Sequence, residues 1–102
     1  TLEVEYDVVT NADKIVVDFW DTIKHRIAST IAVMASEGLV KDEDISASLG
    51  EILSGKKTGR DNDDQVIYFN SVDAGILDLA VTTRCYREAL KRNVGTWVPY
   101  WV

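Results

Sequence analysis

The chain has 102 residues, 46% hydrophobic and 27% charged with a single Pro, which is the composition of one globular domain or a piece of one. Its net charge of −6 is spread along the sequence, which argues against a nucleic-acid backbone or an anionic membrane as the main partner. Cys85 is the only cysteine and His25 the only histidine, so an internal disulfide, a thiolate zinc cluster and a histidine metal pair are all excluded.

The opening stretch, TLEVEYDVVTNAD, carries two periods at once. Leu2, Val4, Tyr6 and Val8 alternate as in a strand, while Leu2, Tyr6 and Val9 stand at helical spacing. It begins at Thr1 without a Met, and the start is expected to be a cut. Next, Ile15, Val16 and Val17 form a β-branched run ending at Asp18, the pattern of a strand buried on both faces. Asp18 or Asp21 is expected to cap a helix running to about Gly38, with Ile23, Ile27, Ile31 and Met34 as its apolar stripe. Gly38 suits a left-handed stop. His25, between Lys24 and Arg26, reads as solvated or capping.

A second helix is expected after VKDED, because Asp42, Glu43 and Asp44 favour an N-terminal dipole. Ile45, Leu49, Ile52 and Leu53 would be its buried face and Gly55 its end. KKTGRDNDD then reads as an exposed loop, with Arg60 the member expected to anchor an acidic partner. QVIYFNSV supplies a second buried strand through Val66–Phe69. A long helix from about Ala74 to Asn93 follows, its broad apolar face made by Ile76, Leu77, Leu79, Ala80, Val81, Tyr86 and Leu90. Cys85 is expected to be buried and inert within it, and Glu88 and Arg92, at i and i+4, form a surface pair. The tail adds Trp97, Tyr100 and Trp101.

The order strand, helix, helix, strand, helix is the grammar of an α/β fold with a parallel sheet. Two strands, each apolar on both faces, cannot cover themselves, so the chain reads as part of a larger α/β protein or a tight oligomer.

Gly50–Lys56 fits the frame G-x-x-x-x-G-K of a phosphate-binding loop, which would make this a small NTPase. The context opposes that reading. Gly50 lies within a helical pattern, Gly55 at its C-terminal end, and Lys57 stands where a Ser or Thr would ligate magnesium. A helix C-terminus is the negative end of the dipole and repels phosphate.

Three blocks, in order, point elsewhere: GEILSGKKTGR over Gly50–Arg60, the stretch Asp63–Val72 ending FNSV, and the helix from Asp78 to Tyr86. Together with KIVVDFWDTIKHR they resemble the C-terminal part of the ornithine cyclodeaminase/mu-crystallin family. The resemblance covers nearly the whole chain. It implies an NAD(P)-dependent enzyme acting on a small amino or imino acid, including ornithine cyclisation with loss of ammonia, in a cytoplasmic homodimer that binds neither nucleic acid nor membrane. It also implies that residues 1–73 are the C-terminal part of a Rossmann-like NAD(P)-binding domain and residues 74–102 a helix and tail returning to the dimerisation and substrate domain. The family's Gly-rich turn, substrate Arg and catalytic Lys belong to earlier sequence, and its catalytic Asp to just before Thr1. No catalytic or metal residue is therefore expected here, and the piece by itself is expected to be inactive. What carries over is Asn70, Ser71 and Val72, which in the family lie near the nicotinamide, in keeping with ligand binding at the carboxyl ends of parallel strands. The family usually has Gly where this chain has Asp73; a carboxylate there suits capping of the Ala74 helix, the alternative being that it favours the oxidised, cationic nicotinamide ring. The alternative, from a different class, is a free-standing, non-catalytic acidic interaction module or relic subunit that dimerises through its aromatic tail.

Overall fold

The computed structural model describes residues 3–72 and 75–100, which divide into two compact units, Thr1–Val72 and Asp73–Val102. The first unit is built on a three-stranded parallel sheet, β1 (Lys14–Val17), β2 (Ile45–Ser48) and β3 (Ile67–Asn70), in the order β2-β1-β3. The central place of β1 accounts for its burial: Ile15, Val16 and Val17 have a neighbouring strand on each side and side chains packed on both faces. The α/β class with a parallel sheet is as the sequence implies. The element order is not.

The segment expected to be a second helix opens instead with a single 3-10 turn (Asp42–Asp44) and then β2, leaving only the short α4 (Leu49–Leu53). Ile45, Ser46, Ala47 and Ser48 alternate apolar and polar, which suits a strand, yet Ile45, Leu49 and Ile52 also fall at helical spacing. The β1 edge decides between them, because pairing there satisfies the main-chain groups of 45–48. Of the proposed helical face none is fully buried, and Leu53 is 79% exposed. The pairing slips by one residue between Ile15 and Val16, where Ser46 Oγ accepts the Ile15 N–H at 3.2 Å. The β3 strand is an edge strand and half-buried, so the expected burial of Val66–Phe69 on both faces does not hold; Val66 and Phe69 are exposed.

The ambiguous opening resolves as a short helix, α1 (Tyr6–Thr10), with Val9 buried. The long helix expected up to Gly38 is broken in two, α2 (Trp20–Ile23) and α3 (Thr30–Ser36). Ser29 takes an extended conformation (φ −130°, ψ 160°) just before α3, and His25–Ala28 stand in solvent between the two pieces. The Ser29 hydroxyl makes no cap bond, and the neighbouring Thr30 Oγ1 is bonded instead to the main chain of Glu3 and Val4. The break removes Ile27 from the predicted stripe: it is 73% exposed, while Ile23, Ile31 and Met34 are fully buried. With Val9, Ile15, Val17, Ala32 and Val40 those three form the core.

Neither Asp18 nor Asp21 caps α2; its N-cap is Phe19, without a side-chain bond. The expected stops do hold. Gly38 and Gly55 both have φ +75°, and after each the next residue's N–H bonds five residues back, Leu39 to Met34 (2.8 Å) and Lys56 to Glu51 (2.9 Å).

The 56–64 loop is solvent-facing but internally tied. Arg60 Nη1 donates to the carbonyls of Asn62, Asp63 and Gln65 rather than to the acidic partner expected of it. Lys14 Nζ lies 2.8 Å from Asp61 Oδ2, and Thr58 Oγ1 donates to Asp61 Oδ1 at 2.7 Å. Lys14 first, then Thr58, hold the Asp61 carboxyl down to about 2. A carboxyl more acidic in the folded than in the unfolded chain stabilises the fold above the unfolded value of 3.8, and this is lost as pH falls towards about 2. Urea midpoints measured from about pH 5 down to about pH 2 are expected to fall less steeply in Asp61→Asn than in the wild type; parallel profiles would contradict this assignment.

The second unit is α5 (Gly75–Arg92) and the tail that follows. Asn93 (φ 51°) closes the helix in the left-handed conformation, with Val94 N bonding Ala89 O at 3.0 Å. Glu88 pairs with Arg92 at 3.6 Å, as its spacing implies. Cys85 is exposed rather than buried, because no described residue of α5 is buried; Ile76, Leu79 and Val81 face solvent, as do Trp97 and Tyr100. Among the described residues no helix is long and apolar enough to cross a membrane. Asp73, Ala74 and Trp101 lie outside the described residues.

Candidate functional site

In a parallel sheet all the carboxyl ends emerge on one edge, where side chains from successive loops converge. Here register sets the level of that edge: Val17 stands opposite Ser48 on one side and Asn70 on the other. The residues just beyond are Asp18, Leu49 and Ser71. Asn70, Ser71 and Val72, the three expected to contact a cofactor, are thus brought beside the end of the central strand.

Asn70 ends β3 and is only 6% exposed. Its Nδ2 donates to the Tyr68 hydroxyl at 3.4 Å, while its Oδ1 is buried and receives no hydrogen bond. An acceptor held in that state costs about 1–3 kcal/mol. Burial, the first cause, raises the Tyr68 hydroxyl above its ordinary range.

Asp18 organises the loop that follows. Its Oδ2 accepts from Ser71 Oγ (3.0 Å) and from the Val72 N–H (2.8 Å), and its Oδ1 from the Phe19 N–H (2.7 Å). Its own N–H donates to the Asn70 carbonyl at 3.2 Å. The sequence marks Asp18 only as a helix cap. The signal for its actual role is its position, one polar residue directly after a buried strand.

On the β2 side of the same edge, Ser48 and Glu51 cap α4 reciprocally. Glu51 N donates to Ser48 Oγ (3.4 Å) and Ser48 N to Glu51 Oε2 (2.9 Å). The Ser48 main-chain and hydroxyl bonds, more than Lys57, lower the Glu51 carboxyl below its ordinary value. Trp20 Nε1 donates to Asp42 Oδ1 at 2.7 Å, and this bond, ahead of Lys24, lowers Asp42. The hollow between these groups, about 270 Å³, is lined by Phe19, Trp20, Asp42, Ser48, Glu51 and Lys57, with Asp21 at its rim. Its three carboxylates are met by two lysines: Lys57 faces Glu51 at 3.5 Å, and Lys24 lies 2.9 Å from Asp21 and 3.3 Å from Asp42.

The phosphate-loop frame fails on geometry as well. Gly50 is the second residue of a five-residue helix and Gly55 ends it, so no helix N-terminus follows Lys56. Among the described residues no three His, Cys, Asp or Glu side chains are grouped so as to hold a metal ion.

The chain is 36% identical over 98 residues to an alanine dehydrogenase from Archaeoglobus fulgidus, covering 96% of itself and 30% of that relative. An archaeal alanine dehydrogenase dimer solved with bound NAD superposes with a TM-score of 0.77 at 35% identity, over 99% of this chain and 31% of that one. Thermococcus litoralis Delta(1)-pyrroline-2-carboxylate reductase, solved with NADH and L-proline, gives a TM-score of 0.66 at 36% identity over 83% of this chain and 26% of that one. The chain therefore spans about a third of the length of the relatives it matches. Residues 2–93, nearly all of it, match a single family description, and the chain belongs to the ornithine cyclodeaminase/mu-crystallin family.

Proposed function

We propose that this chain is the C-terminal portion of an NAD(P)-dependent dehydrogenase or reductase of small amino or imino acids. In this reading residues 1–73 complete a Rossmann-like dinucleotide-binding sheet, and residues 74–102 lead back to a dimerisation and substrate domain. Asn70, Ser71 and Val72 contact the nicotinamide end of the cofactor. The observation that carries the reading is the carboxyl edge itself: Asn70 in register with Val17, with a buried amide oxygen lacking a donor, beside a loop fixed by Asp18. Those residues fit an uncharged, hydrogen-bonding ring amide. The bound dinucleotide supplies or accepts the hydride, and residues 70–72 orient the ring. The apolar side chains exposed on α5, among them Ile76, Leu79 and Val81, support a subunit contact in the second unit. Ornithine cyclisation with release of ammonia belongs to the same chemistry, since it also begins by hydride removal from an amino acid α-carbon.

The test is a titration of the intact protein that carries this chain with NADH and NADPH, read by nicotinamide fluorescence, followed by turnover assays with alanine, proline and ornithine. Saturable binding of one nucleotide and NAD(P)-dependent oxidation of a small amino acid are expected. An intact protein that binds neither nucleotide would overturn the reading.

A further inference from the structure

One residue touches all three members of the candidate nicotinamide contact, two of them through its carboxylate. Asp18 holds Asn70 through the main chain (Asp18 N to Asn70 O, 3.2 Å), Ser71 through its hydroxyl (3.0 Å to Oδ2) and Val72 through its amide (2.8 Å to Oδ2). The other carboxylate oxygen is occupied by the Phe19 N–H at 2.7 Å, which fixes the orientation of the group. A hydroxyl has one hydrogen to give and two lone pairs, and a carboxylate has no hydrogen to return. With its hydrogen committed to Asp18, Ser71 Oγ meets a ligand only as an acceptor.

Resting on the reading above, we propose that Asp18 is the positioning residue of the Asn70–Val72 loop. It sets the Ser71 hydroxyl as an acceptor for an amide N–H₂ of the bound dinucleotide. Two consequences separate this from a merely structural role. Asp18 acts on the nicotinamide end alone, so the affinity for ADP-ribose, which lacks that ring, does not depend on it. A dinucleotide whose ring carries a carboxylate in place of the amide offers no N–H₂, brings a negative charge towards Asp18 and is discriminated against.

The experiment measures dissociation constants of the intact protein for NADH, ADP-ribose and the reduced nicotinic-acid dinucleotide, in the wild type and in Asp18→Asn, whose side chain keeps the shape but has a single acceptor oxygen. The wild type is expected to prefer NADH over the acid form by about tenfold, from the loss of one neutral hydrogen bond together with the repulsion between the acid and Asp18. Asp18→Asn is expected to weaken NADH by a similar factor, to narrow the preference over the acid form, and to leave ADP-ribose unchanged. Equal weakening of NADH and ADP-ribose, or no change in NADH, overturns the proposal. A wild type that binds neither NADH nor ADP-ribose overturns the enzyme reading itself. Should Asp18→Asn not fold, Asp18→Glu keeps both acceptor oxygens on a longer arm, and the same three constants decide.

Discussion

Replacing Ile31 by Ala is expected to lower the free energy of unfolding by about 2–5 kcal/mol, the range for deleting a buried aliphatic side chain and leaving a cavity. Ile31 is fully buried on α3 and packs in the cluster with Val9, Val17, Ile23 and Met34. Ile27→Ala, by contrast, is expected to change stability by less than about 0.5 kcal/mol, because that side chain stands in solvent in the break between α2 and α3. Urea unfolding followed by far-UV circular dichroism measures both. The pair is diagnostic because a continuous helix from Asp18 to Gly38 would place Ile27 and Ile31 on one buried stripe with similar costs. Comparable losses would show that the helix does not break.

Thr30→Val is expected to cost about 2–3 kcal/mol although it hardly changes shape, since it removes several partly buried hydrogen bonds at once. Thr30 is fully buried, and its Oγ1 accepts from the main-chain N–H groups of Glu3 and Val4, both at 3.1 Å, while donating to the Val4 carbonyl at 3.0 Å. The valine variant leaves those groups to find water or remain unpaired. Thr30→Ser keeps the hydroxyl and loses one methyl, so its loss is expected to be about 1 kcal/mol. The urea midpoint should fall for Thr30→Val with an unchanged slope, and limited proteolysis should cut before Tyr6 more readily in that variant. A valine variant as stable as wild type would mean that the 3–4 segment is not held by this hydroxyl.

Where the sequence was legible, a local property sufficed. The Ile15–Val17 run is apolar and β-branched at every position, the pattern of a strand buried on both faces. Gly38 and Gly55 stop their helices because a left-handed turn needs no more than the residue itself and its neighbours. The Glu88–Arg92 pair follows from helical spacing alone. Asn70, Ser71 and Val72 were named through family resemblance and the end of a strand; the register places Asn70 opposite Val17, with the other two following it.

Other features needed a partner distant in sequence. Residues 45–48 satisfy helical and strand periods equally, and only the exposed edge of β1 selects the strand. The break at 24–29 precedes a Thr30 whose hydroxyl is bonded to Glu3 and Val4, more than 25 residues away. Cys85 looked buried because α5 has a broad apolar face, but an apolar face is buried only when something covers it, and no described residue of α5 is. Asp18 could be read as a cap because caps are the commonest use of Asp after a strand. Its bonds to Ser71 and Val72 span more than 50 residues and exist only because β1 and β3 pair in parallel and end at the same level. Composition and periodicity by themselves determined the class, the central strand and the helix stops of this chain, since these are properties of neighbouring residues. The third strand, the broken helix and the carboxylate that grips the site loop were decided by tertiary structure, because each is a hydrogen-bonding choice whose winning partner lies far along the chain.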